Sequence, residues 1–159
     1  MSFSRSVEVI LKREGGYLSA AEASAQGDPG GETKFGISKR AYPELDISSL
    51  TKEQAMEIYH RDYWSPVSGD LLPWPLCLFV FDSAVNQGTD AAIKMLQEIL
   101  GVSIDGVIGP VTLNLAQKSR SWHAAKFMSA RARRYAQSKN FDKFGDGWLT
   151  RLFIVTLEA

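Results

Sequence analysis

The chain has 159 residues, 45% hydrophobic and 23% charged, the make-up of a soluble globule long enough to bury about two-thirds of its unfolded surface without a disulfide or structural metal. Eighteen basic and eighteen acidic residues cancel, which excludes a general nucleic-acid binder, and a single cysteine, Cys77, excludes an intramolecular disulfide framework. No apolar run approaches the roughly 20 residues that span a bilayer, so no stable membrane insertion is expected.

Phe3, Val7, Ile10 and Leu11 recur at helical spacing and predict a first helix, stopped by Gly15-Gly16. Residues 18–31 are small and polar and read as an irregular loop. Thr33, Phe35 and Ile37 alternate with Lys34 and Gly36, which predicts a short strand carrying the first three on one face. Thr51-Lys52-Glu53-Gln54 reads as a capping box opening a helix that runs through Ala55, Ile58 and Tyr59 towards Trp64. The next helix, around 79–86, is apolar nearly all round and should lie at the centre of the core, where Cys77 reads as a small buried hydrophobe rather than a catalytic thiol.

Gly88-Thr89-Asp90 opens a further helix with Ile93, Leu96, Ile99 and Leu100 on one face, ended by Gly101. Asp105-Gly106 and Gly109-Pro110 mark turns, and helices are predicted over 110–118, 121–139 and 147–157. Lys126, Arg131, Arg133, Arg134 and Lys139 cluster along the second of these and read as a solvated basic face. The expected fold is mainly α with a minor β element after the first helix. His60 and His123 lack ligand-spaced partners, so neither a metal nor a cofactor is expected. The N-terminus carries no apolar signal stretch, which predicts a cytosolic pool.

Glu14 is the most informative residue. At 100° per residue it shares the face of Phe3, Val7, Ile10 and Leu11, and it sits in the last helical turn. Burial and the negative end of the helix dipole both disfavour its anion and push its pKa up. A glutamate held at about 6 requires only about 2 kcal/mol of differential interaction and is the acid that glycoside cleavage needs. The same spacing also suits a glutamate paired with a buried arginine or turned to solvent.

Across a glycosidic bond a second polar group must hold water or stabilise the oxocarbenium-like centre. Asp28, in Asp28-Pro29-Gly30-Gly31, is the candidate, with Glu22 as its competitor and Thr33 as a neighbouring hydroxyl. Asp28 is also an ordinary turn starter. Asp82 and Asn86 stand four apart on the apolar helix, as sugar-binding groups or with Asp82 paired to an arginine. Tyr17, Phe35 and Trp148 could offer aromatic surface to pyranose rings or simply be core.

Glu14-Gly15-Gly16-Tyr17, Asp28-Pro29-Gly30-Gly31, Thr33 and Phe35-Gly36-Ile37-Ser38 closely resemble the N-terminal signature of glycoside hydrolase family 108, lysozyme-like N-acetylmuramidases, many of them from phages. Phe81-Asp82-Ser83-Ala84-Val85-Asn86-Gln87-Gly88 resembles that family too. Leu96-Gln97, Asp105-Gly106-Val107-Ile108-Gly109-Pro110-Val111-Thr112 and Gly147-Trp148-Leu149-Thr150-Arg151 resemble its predicted peptidoglycan-binding half.

The resemblance implies a single lysozyme-like domain over 1–159, two-lobed and α+β, with a catalytic lobe over about 1–86 and a helical peptidoglycan-binding-like lobe over about 87–159. It implies Glu14 as the catalytic acid and, by order along the chain, Asp28 and Thr33 as its partners. The ten-residue spacer between Tyr17 and Asp28 looks longer than is usual in the family. The implied activity is hydrolysis of the β-1,4 bond between N-acetylmuramic acid and N-acetylglucosamine by a monomeric endolysin whose access to peptidoglycan depends on a holin. A lytic transglycosylase, which needs no water-activating aspartate, and a non-catalytic peptidoglycan-binding or secretion-associated module are the competing readings.

Overall fold

The computed structural model describes residues 2–12, 16–25 and 31–159. It is mainly α and lysozyme-like, with a small antiparallel β element after the first helix. Helix α1 (Ser2–Leu11) buries Val7, Val9, Ile10 and Leu11, as its apolar spacing predicts. The predicted stop at Gly15-Gly16 lies partly outside the described residues.

The stretch expected to be irregular contains a short helix, α2 (Ala20–Ala25). Its start is a capping box that the small-residue composition concealed. The Ser19 amide and hydroxyl both donate to Glu22 Oε2, at 2.9 and 2.7 Å, and the Glu22 amide returns a bond to Ser19 Oγ at 3.3 Å. The single strand expected over 33–37 is instead a hairpin. Strands β1 (Thr33–Lys34) and β2 (Ile37–Ser38) pair antiparallel, with Phe35 and Gly36 as the two turn residues at φ 52° and 76°. Positive φ at both positions gives the turn a twist that matches the strands, and it costs Gly36 little. Phe35 therefore belongs to the turn and does not share a strand face with Thr33 and Ile37.

Helix α3 (Lys52–Tyr59) opens on the predicted capping box, with reciprocal Thr51 and Gln54 bonds, and runs on through a π-helical turn, His60–Trp64. Trp64 is fully buried against Phe3 and Phe81. Helix α4 (Leu76–Gln87) buries every residue from Leu76 to Ala84 and is the axis of the core. Cys77 is buried there, its thiol pushed up to about 11 chiefly by burial, and so behaves as a hydrophobe.

Helix α5 (Thr89–Leu100) packs along α4 and closes on Gly101, where the Gly101 and Val102 amides bond back to Glu98 and Gln97. Helices α6 (Pro110–Gln117), α7 (Ser121–Ala136) and α8 (Phe141–Leu157) complete the chain, with α7 and α8 both against α4. Helix α8 begins six residues before the predicted 147. Gly145 and Gly147 weaken the helical signal there, but a side chain on Gly145 would meet the Phe141 ring at 2.9 Å, so glycine makes room for that ring.

Candidate functional site

Two groups of side chains stand out. The first surrounds the hairpin. Leu18 and Thr33 exchange backbone bonds of 2.8 and 2.9 Å, which lays the segment after Gly16-Tyr17 beside β1. The Tyr17 hydroxyl donates to Glu32 Oε1 at 2.5 Å, and this bond, ahead of desolvation and the carboxylate charge, raises the phenol pKa. Thr33 Oγ1 donates to the Gly31 carbonyl at 3.1 Å. The turn is tied to α3 by the Tyr59 hydroxyl, which donates to the Phe35 carbonyl at 2.9 Å. Tyr17 is 47% exposed, whereas Phe35 packs partly buried on the core.

Glu14 and Asp28 lie outside the described residues. Glu22, the competing carboxylate, is engaged in its capping box, and the Ser19 hydroxyl and amide hold its pKa below the ordinary value.

The second group lies where α4, α7 and α8 meet. Asp82 is fully buried and takes the ion-paired arrangement. Arg131 Nη2 reaches Oδ2 at 2.7 Å, and Arg151 Nη2 and Nε reach Oδ1 at 2.7 and 3.0 Å. Burial alone would push the Asp82 carboxyl up, but the two guanidiniums and their hydrogen bonds hold it below its ordinary value. With no exposed surface, its carboxylate acts on its neighbours rather than on a solvent-borne ligand.

Arg131, expected on a solvated basic face, is instead fully buried. Beyond Asp82 it donates to Gln87 Oε1 at 3.3 Å and to the Tyr135 hydroxyl at 3.5 Å. The Tyr135 hydroxyl in turn donates to Asn86 Oδ1, and Trp148 stacks on the Tyr135 ring at 5.1 Å and 23°. Burial raises the Tyr135 phenol pKa, opposed by the Arg131 charge and reinforced by that of Asp82. Asn86, Gln87, Arg134, Tyr135, Ser138 and Trp148 line an open cleft of about 410 Å³.

The structure thus gathers Asp82, Asn86 and Trp148 around one network and sets Tyr17, Thr33 and Phe35 around the hairpin. Arg131, Tyr135 and Gln87 were missed as site residues. A signal existed for the first two: Ala124, Phe127, Arg131 and Tyr135 recur at helical spacing, so Arg131 shares the apolar face of α7. An inward Asp82 also demands a cationic partner.

Among the described residues, no cluster of three or more His, Cys, Asp or Glu side chains is arranged to hold a metal ion, and no helix is long and apolar enough to cross a membrane.

The family model for glycosyl hydrolase 108 matches residues 7–88, and that for a predicted peptidoglycan domain matches residues 91–153. The junction between the matches coincides with the break between α4 and α5 at Gly88. The structure of Brucella abortus SagA is similar, with 31% sequence identity, a TM-score of 0.83 and coverage of 98% of this chain and 92% of that one. No curated protein matches the chain.

Proposed function

Because the chain belongs to the glycosyl hydrolase 108 family, with a peptidoglycan domain as its second half, we propose that it hydrolyses the β-1,4 bond between N-acetylmuramic acid and N-acetylglucosamine. Family membership makes it a glycoside hydrolase with peptidoglycan as partner; the bond cleaved and the residues that cleave it are the further step. Glu14 protonates the bridging oxygen, a contribution of about 10²- to 10⁴-fold in rate. Asp28, helped by Thr33, orients a water or stabilises positive charge at the anomeric carbon.

The observation that carries this reading is the Leu18–Thr33 pair. It lays Leu18, the residue after Glu14-Gly15-Gly16-Tyr17, against Thr33, two residues after Asp28-Pro29-Gly30-Gly31, so the connection over 19–32 leaves and returns at one place. Tyr17, Phe35, Asn86 and Trp148 contribute to substrate binding, and buried Asp82 anchors Arg131 and Arg151. In its biological setting the protein is a monomeric endolysin, held in the cytosol of the producing cell and released onto the wall through a holin lesion. Lysis on induction with a holin, and none without it, is the expected result; lysis without one would remove that part of the reading.

Digestion of purified peptidoglycan by wild type and Glu14→Gln, with reducing ends identified by mass spectrometry, tests the chemistry. Free N-acetylmuramic acid ends from wild type and almost none from the variant are expected. Anhydro ends would make the protein a lytic transglycosylase, soluble fragments from neither would make it a binding module, and equal fragments from both would displace Glu14.

A further inference from the structure

We propose that the cleft between the ends of α4 and α7 and the side of α8 receives the peptide substituent of the wall polymer, a short peptide bearing a carboxylate, rather than a sugar ring. This rests on the reading above that the chain works on peptidoglycan. At about 410 Å³ the cleft falls in the usual range of ligand sites. A pyranose is gripped by an open aromatic face, but the Trp148 ring lies on Tyr135, and Phe144 tilts against it with centroids 5.9 Å apart. What the cleft presents instead is three amides (Asn86, Gln87 and Gln137), two hydroxyls and a guanidinium, the partners of a peptide backbone and a carboxylate.

The cations of this region are not equivalent. Arg131 is spent on Asp82, and Arg133 pairs with Glu98 at 3.1 Å. Arg134 is exposed on the cleft rim and makes no ion pair among the described residues, so its fork is open to a carboxylate. Beside it, Gln87 Oε1 is held by Ser83 and Arg131, which fixes the side chain that lines the cleft next to Asn86.

The wall is pre-organised, because Asp82 fixes Arg131, Arg131 contacts Tyr135, and Tyr135 donates to Asn86. The cleft also straddles the two family matches, with Asn86 and Gln87 in the hydrolase match and Arg134, Tyr135 and Trp148 in the peptidoglycan-domain match. Arg134 in the last turn of α7 also complements that helix dipole, and the test separates the two roles.

The full-length protein is titrated, with amide shifts followed by NMR, with muramyl dipeptide (N-acetylmuramic acid carrying a dipeptide that ends in a carboxylate) and with N-acetylmuramic acid alone. Shifts at Asn86, Gln87, Tyr135 and the Trp148 indole, at least about tenfold tighter for the dipeptide, are expected, with about a tenfold loss in Arg134→Gln. Arg134 is exposed, so the variant probes charge rather than folding. Equal affinity for the two probes, shifts confined to other residues, or an unchanged Arg134→Gln affinity would overturn the proposal. Binding is read without cleavage, so a failed digest with intact dipeptide binding removes the hydrolase reading and leaves this one standing.

Discussion

The hairpin at 33–38 and the cluster around Asp82 hold their functional side chains by opposite means. At the hairpin the scaffold is backbone: one bridge at Leu18–Thr33, a two-residue ladder and a positive-φ turn, with Thr33 and Phe35 half-buried and only Ile37 sunk in the core. Around Asp82 the scaffold is charge, one carboxylate shared by two guanidiniums with no exposed surface on Asp82 or Arg131. Backbone pairing fixes where a segment runs and leaves its side chains adaptable. A buried ion cluster fixes side chains themselves, and it tolerates no missing member because the remaining charge is stranded.

Asp82→Asn should have the largest effect on stability, about 3–5 kcal/mol by denaturant titration, because it leaves Arg131 buried without its anion. A loss below about 1 kcal/mol would erase the contrast between the two regions. Acid sharpens it. The folded pKa of Asp82 lies below its unfolded value, so its stabilisation is fully present above pH of about 4 to 5 and disappears as pH falls through the folded pKa. Wild type should therefore lose melting temperature over that acid range more steeply than Asp82→Asn.

Gly36→Val should cost about 1–3 kcal/mol, since a β-branched residue is forced to φ 76° in the turn. Its unfolding should leave the near-ultraviolet signal of the Tyr135–Trp148 stack unaltered at low denaturant. Tyr17→Phe removes an exposed hydroxyl bond to Glu32 and should leave the denaturant midpoint close to that of wild type. A marked fall would mean that side chains, and not only backbone, hold the hairpin region.

Much of the helical framework was legible because each element carried its own local signal. Thr51 and Gln54 capped α3, Gly101 closed α5, and an apolar run marked α4 as central. Helix α2 was missed although Ser19 and Glu22 spelled its cap, because five small residues carry no amphipathic pattern. The hairpin was read as one strand because phenylalanine is an unexpected occupant of a positive-φ position. Of the candidate site, Tyr17, Thr33 and Phe35 could be singled out by motif, but their partners Glu32 and Tyr59 could not.

Motif order along the chain was sufficient to expect the family, since Glu14, Asp28-Pro29-Gly30-Gly31, Thr33 and the helix of Asp82 to Asn86 appear in sequence within the matched 7–88 segment. Local composition was likewise enough for a mainly α chain with a small β element. The fate of Asp82 was decided only by tertiary structure: its partners Arg131 and Arg151 lie 49 and 69 residues away, and periodicity within one helix carries no information on which distant helix will pack against it. The same holds for the cleft, whose walls come from α4, α7 and α8, because a concave surface exists only once separate helices are docked.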